Sequence, residues 1–196
     1  HNERGKGINT NGKIHVQLAE DNEGNIYFAG LNEDTGPEPI DPGSYKGAYW
    51  YRYNLELDKV EILGKISPYY GLLGMVLDKE RMRLYGLAEN GHLYTHDIDK
   101  KYTRDLGRVD SWDVCRTIFM DDRGNVYGSF PVGRIWKYNP VIDRTIDLES
   151  ESIRLPIDRE IYPRTMSKPK LDRKYAWRII EWDPVDEAAY GIVGGN

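Results

Sequence analysis

A chain of 196 residues with 27 basic and 32 acidic side chains, a formal net charge of -5 and one Cys lacks the basic footprint of a nucleic-acid binder. It also lacks the cysteines for an internal disulfide, a Cys-rich zinc site or a redox pair. No apolar run approaches the roughly 18 residues of a membrane span, so neither nucleic acid nor a membrane is an expected partner. The opening His1-Asn2-Glu3-Arg4-Gly5-Lys6-Gly7 is polar, and residues 1–11 read as an extension or cut edge rather than a signal peptide.

From residue 12 onward the sequence repeats. Asp21-Asn22-Glu23-Gly24-Asn25-Ile26-Tyr27 returns as Asp121-Asp122-Arg123-Gly124-Asn125-Val126-Tyr127, with looser copies beginning at Asp78 and Asp183. Each copy lies between two apolar runs, as a hairpin turn does. The Asp side chain bonds its own backbone, and the Gly supplies a positive φ. A second motif follows the first three turns: Ala48-Tyr49-Trp50-Tyr51-Arg52-Tyr53-Asn54, Gly91-His92-Leu93-Tyr94-Thr95-His96-Asp97 and Arg134-Ile135-Trp136-Lys137-Tyr138-Asn139-Pro140. Period-2 alternation runs throughout, and every unit reads as four short strands, A to D. Repeats of about 40–50 residues with four antiparallel strands each predict an all-β fold, the β-propeller.

The expected blades are 12–66, 71–110, 111–153 and an incomplete fourth over 175–196. Three and a half blades leave an open sheet edge, which needs a partner strand. The sequence is therefore expected to be a fragment of a larger, seven-bladed ring, closed by the remaining blades of a parent chain or by a partner.

The spacing of the turn aspartates marks one face. Asp78 to Asp121 spans 43 residues, whereas Asp21 to Asp78 spans 57 and Asp121 to Asp183 spans 62. The surplus falls in the B–C connection over 32–46 and the D–A connection over 154–174, which emerge on the same face of a propeller. Long loops on a rigid scaffold are where binding and catalysis concentrate, although such insertions are also simply tolerated at a surface.

Unusual side chains gather there too. Tyr69, Tyr70, Trp112 and Trp177 stand at entrances to inner strands, and His15 at the start of the first. Arg116 and Arg178 each precede a turn Asp by five residues, Tyr45 ends the first insertion, and Arg164 and Lys168 lie in the second. Aromatic rings stack on sugars, and Arg grips a carboxylate bidentately. This rim suits an acidic saccharide. Each residue also has a structural reading: inter-blade ion pairs for the arginines, a satisfied inter-blade histidine for His15, blade packing for Trp112 and Trp177. Cys115 reads as a small core residue, and Tyr51, Tyr53 and Tyr138 as strand residues.

No cofactor or metal is expected. His92 and His96, four apart on a strand, stand about 13 Å apart, too far for one ion. The Asp21 and Asp121 turns lack the later ligands of a calcium loop, and no nucleophile elbow or phosphate loop is present.

Gly12-Lys13-Ile14-His15, the two D-x-x-G-N-[IV]-Y turns, the Leu63-Gly64 and Leu106-Gly107 strand ends, and Trp136-Lys137-Tyr138-Asn139-Pro140 resemble bacterial propellers of the ulvan and oligogalacturonate lyase type. That resemblance implies a periplasmic or extracellular protein that binds an acidic, uronate-containing polysaccharide and cleaves it by β-elimination. Of the family's cleft constellation of His, Tyr and Arg, only His15 carries over by position. Blade one holds Ala29-Gly30-Leu31 where a second histidine would stand. Acid–base logic then assigns catalytic parts to His15 or a Tyr (Tyr69, Tyr70) as base, to Arg116 or Arg178 as the cation against the developing enediolate, and to a nearby Tyr as proton donor to the leaving oxygen. Tyr45, Tyr69, Trp112, Arg164, Lys168 and Trp177 would contact the ligand. Two other readings stand beside this one: a non-catalytic sensing or protein-interaction scaffold, and a metal-dependent hydrolase of the lactonase type.

Overall fold

The structure is a computed structural model, and it describes residues 13–31, 48–68, 70–109, 117–129, 134–152 and 175–195. These form fifteen strands and no helix. The fold is all-β, built of antiparallel sheets in meander order, as propeller blades are. Blade one contains β1 (Lys13–Ile14), β2 (Ala19–Glu20), β3 (Ile26–Leu31), β4 (Tyr49–Asn54) and β5 (Lys59–Lys65). Blade two contains β6 (Leu72–Asp78), β7 (Arg83–Ala88), β8 (His92–Asp97) and β9 (Tyr102–Arg108). Blade three is β10 (Phe119–Met120), β11 (Val126–Ser129), β12 (Arg134–Asn139) and β13 (Arg144–Ser152), and blade four is the pair β14 (Tyr175–Asp183) and β15 (Ala188–Gly195).

The repeated turns form for a local chemical reason. Asp21 Oδ1 accepts from the backbone N–H of Glu23 and Asn25, both at 2.9 Å, while Oδ2 accepts from Asn25 Nδ2 at 2.9 Å and the Tyr27 hydroxyl at 3.0 Å. Asp121 repeats all four bonds with Arg123, Asn125 and Tyr127. Gly24 and Gly124 sit at φ +82° and +81°, a conformation that a Cβ would strain. Burial pushes the Asp21 carboxyl up, but the bonds from Asn25, Tyr27 and Glu23 outweigh it and hold its pKa below the usual value. Burial raises the Tyr27 phenol to about 12. With four donors already on each carboxylate, these turns are structural locks, not cation sites.

The turns between the third and fourth strands share a second device. Asn54, Asp97 and Asn139 each accept a backbone N–H three residues on, and the residue after that (Asp58, Lys101, Asp143) turns through positive φ. The Tyr53 and Tyr138 hydroxyls then donate to Asp58 and Asp143. Bonds from Arg104 and Tyr138 hold the Asp143 carboxyl down at about 2.

Blades pack face to face, and the two faces of blade two bury different sets. Leu72, Met75, Leu77 and Leu84 join Trp50 and Tyr27 of blade one, whereas Tyr85, Leu87 and Leu93 join Trp136, Tyr138 and Val126 of blade three. Trp50 is fully buried, and it fits because Gly86 has no side chain: a Cβ there would lie 2.7 Å from Trp50 Cη2. Between blades three and four, Phe119 stacks on Trp182 at 6.2 Å between centroids.

The inner strands β2, β6, β10 and β14 touch in succession. Their arc curls far enough for Gln17 Nε2 of blade one to donate to Glu181 Oε1 of blade four at 3.0 Å.

Candidate functional site

The inner strand expected in blade one is not continuous. Lys13 and Ile14 pair with Leu31 and Gly30, and Ala19 and Glu20 pair with Tyr27 and Ile26. Residues 15–18 therefore oppose only Phe28 and Ala29 and bulge from the sheet. His15 opens that bulge and is half-buried. Its Nδ1 lies 3.0 Å from the carbonyl oxygen of Leu73 in blade two. A carbonyl only accepts, so Nδ1 is the donor, and in the neutral ring the lone pair then lies on Nε2. Among the described residues no partner meets Nε2.

Leu73 is itself a bulged residue: the β6–β7 register passes from Leu72↔Ala88 to Gly74↔Leu87. The bulge frees its carbonyl from the ladder and turns it toward blade one, a local re-aiming for which β-bulges are commonly used. The same break recurs in blade four, where Trp177↔Val193 is followed by Ile179↔Ile192 and Arg178 is passed over. Leu73, Arg116 and Arg178 all stand five residues before a turn Asp, and the bulge gives that shared position a backbone meaning at Leu73 and Arg178.

Tyr70 begins the segment that feeds β6. Its N–H donates to Ser67 Oγ at 3.1 Å, and its ring is 36% exposed. The next residue, Gly71, is clamped from the turn between β7 and β8. Its N–H donates to Glu89 Oε2 at 2.9 Å, and its carbonyl accepts from the Glu89 N–H at 3.1 Å. The other carboxyl oxygen, Glu89 Oε1, is buried without a hydrogen-bond partner. Burial pushes the Glu89 carboxyl up, against the Gly71 bond and the field of Lys13, which both favour its charge.

Beside it, Asn90 Oδ1 accepts the His92 N–H, and His92 Nδ1 lies 2.9 Å from Asp105 Oδ2. The Tyr94 phenol bonds with Asn90, Ser67 and Asp105, and burial raises its pKa. One end of the blade-one/blade-two junction thus collects Lys13, His15, Tyr70, Glu89, Asn90 and His92. The long connections between β3 and β4 and between β13 and β14 leave their sheets at this same end.

The structure brings His15 onto the segment that Tyr70 opens. Trp177 and Arg178 lie in β14, with Arg178 at its bulge. Tyr45, Tyr69, Trp112, Cys115, Arg116, Arg164 and Lys168 fall outside the described residues. Sequence reasoning missed Glu89 and Lys13. A usable signal existed for Glu89, a carboxylate in a short Glu89-Asn90-Gly91 turn that occupies the connection enlarged in blade one.

His96 shares β8 with His92 but is fully buried, its Nδ1 on Thr103 Oγ1 at 2.9 Å and its ring 6.0 Å from that of Trp50. Among the described residues no group of three or more His, Cys, Asp or Glu could hold a metal ion, and no helix is long and apolar enough to cross a membrane.

No protein-family model matches the sequence, and no curated protein matches it. Among solved structures the chain is similar to an auxiliary nutrient binding protein from Bacteroides thetaiotaomicron, with a TM-score of 0.57 over 94% of this chain at 12% identity. It is also similar to a structural genomics protein of unknown function from the same organism, with a TM-score of 0.45 over 69% of this chain at 16% identity. The first likeness is one of fold. The chain spans 36% of the length of that first protein and 35% of the second.

Proposed function

We propose that this protein is a ligand-binding propeller whose site is the rim between blades one and two, and that its ligand is an acidic, uronate-containing saccharide. The observation that carries this reading is the anchoring of His15: its Nδ1–H is fixed on Leu73 O, which leaves the Nε2 lone pair for a ligand beside Tyr70 and Lys13. The nutrient-binding description of the structural neighbour favours a binding role, and the strands that would complete blade four come from further chain or a partner.

The finer reading is β-elimination. His15 Nε2 takes the proton α to the uronate carboxylate, Arg116 and Arg178 neutralise the enediolate, and Tyr70 protonates the leaving oxygen. Tyr45, Tyr69, Trp112, Trp177, Arg164 and Lys168 supply the flanking contacts. Titration calorimetry with uronate and neutral oligosaccharides tests the binding, and absorbance of unsaturated sugar ends tests the cleavage. Binding of uronates that His15→Ala abolishes supports the reading. Equal or absent binding of both sugar classes defeats it.

A second reading, a protein-interaction scaffold without catalysis, is favoured by one observation. Blade four presents Ile179, Tyr190 and Ile192 on one face, each more than half exposed.

A further inference from the structure

The candidate residues at the rim do not hold their own positions. Tyr70 and Leu73 belong to one short stretch of backbone, and His15 is fixed to that stretch through Leu73 O. Within it, beside the Tyr70 N–H held on Ser67 Oγ and the pairing of Leu72 with Ala88, Gly71 is gripped at both its N–H and its carbonyl, and both of those grips come from Glu89. One of the two is a side-chain bond, so it depends on the charge state of a carboxyl group.

We propose that Glu89 is the positioning residue of this rim, and that its carboxylate clamps Gly71 and so sets the placement of Tyr70 and of the carbonyl that orients His15, in a proton-dependent way. The inference rests on the rim being the binding site only for its functional consequence; the clamp itself is a property of the fold.

The surroundings of Glu89 fit this part. A charge-assisted bond from a backbone N–H to a carboxylate is stronger than one to a neutral carboxyl. Glu89 Oε1 has no donor of its own, so protonation there costs no existing bond while it weakens the acceptor that Gly71 uses. From β1, Lys13 is the charged group whose field acts on Glu89. From the entering segment the facing group is the Gly71 amide, with the Tyr70 phenol next in sequence. On the turn itself, the Asn90 side chain is engaged with the His92 N–H, and His92 is held by Asp105. At the other end of β7, Arg83 is paired with Asp97. Burial raises the Glu89 carboxyl above its usual value, so the clamp weakens at a pH where ordinary surface carboxylates remain charged.

The test uses the 196-residue chain in nitrogen-15-labelled form. The proton shift of the Gly71 amide, followed from about pH 8 to about pH 4.5, is expected to titrate as a single step above the usual Glu range of about 4.3. Glu89→Gln keeps an acceptor for Gly71 but cannot ionise. It is expected to abolish the step while preserving slow exchange of the Gly71 amide. Glu89→Ala is expected to speed that exchange at least tenfold. With uronate oligosaccharide present, Glu89→Ala should weaken binding about tenfold and Glu89→Gln by less than threefold, with its pH dependence flattened.

A Gly71 amide that does not titrate, or one as protected in Glu89→Ala as in the parent, overturns the inference. So does uronate binding that is undiminished in Glu89→Ala. If Gly71 behaves as expected but no uronate binds, the clamp stands and the proposed function fails instead.

Discussion

Blades two and four derive from the same repeat, yet blade two is covered on both faces and blade four on one. Blade two buries Leu72, Met75 and Leu77 toward blade one, and Tyr85 and Leu87 toward blade three. Blade four buries Ile180 and packs Trp182 against Phe119, while Ile179 is 53% and Ile192 is 64% exposed on its other side. A propeller blade has two apolar faces by construction, so its stability is set by its neighbours as much as by its own strands. The contrast orders what substitutions should do.

Trp50→Ala attacks the covered side. It empties a fully buried site over Gly86 and should cost about 3–5 kcal/mol in urea unfolding, as large-to-small core changes do. Ile192→Ala in blade four should cost about 0.5 kcal/mol or less, in line with surface substitutions. Equal losses at the two positions would erase the contrast.

The turns sharpen it further. Asp121→Ala strips an acceptor from four donors, two of them the Asn125 and Tyr127 side chains, and is expected to cost about 2–3 kcal/mol. Asp183→Ala in blade four loses two bonds from exposed backbone N–H groups and should cost less than about 1 kcal/mol. Chemical denaturation of the two variants side by side checks the order.

His96 gives blade two a pH dependence. Burial pushes its imidazole pKa below the usual value, opposed by the charge of Asp97. The unfolded chain takes up this proton from about pH 6.5 downward, whereas the folded chain does so only at lower pH. Between those two values the unfolded state binds more protons, so stability falls as pH drops through the window and levels off below the folded value. Urea midpoints at about pH 7.5 and about pH 5.5 should therefore differ, and His96→Leu should shrink the difference. An unchanged difference would mean that the buried ring does not govern it.

A similarly small effect belongs to the Arg104–Asp143 bridge between blades two and three, which is 43% and 50% exposed at its two side chains. Arg104→Ala should change thermal stability by less than about 1 kcal/mol, because water screens the pair.

What the sequence revealed follows the range of the forces involved. The D-x-x-G-N-x-Y turns were legible because every bond of the Asp21 and Asp121 locks lies within six residues. Strands β4, β8 and β12 were legible from alternation and from the tryptophans at 50 and 136. The bulges at residues 15–18 and at Leu73 were not legible, since they are defined by register against another strand and by a bond between blades. Glu89 was legible as a carboxylate in a short turn, but its clamp was not, because that bond reaches Gly71, 18 residues away. Arg178 was singled out by position alone, and the bulge in β14 gives that position its backbone reason.

The rim between blades one and two is the central claim, and mapping a uronate oligosaccharide onto backbone amides tests it most directly. The account predicts that adding the saccharide to the labelled chain moves the amide signals of Tyr70, Gly71, Leu73, Glu89 and Asn90, and leaves those of Gly24 and Gly124 on the opposite face in place. Shifts centred on Gly24 and Gly124, or none at any of these positions at saturating saccharide, would contradict it.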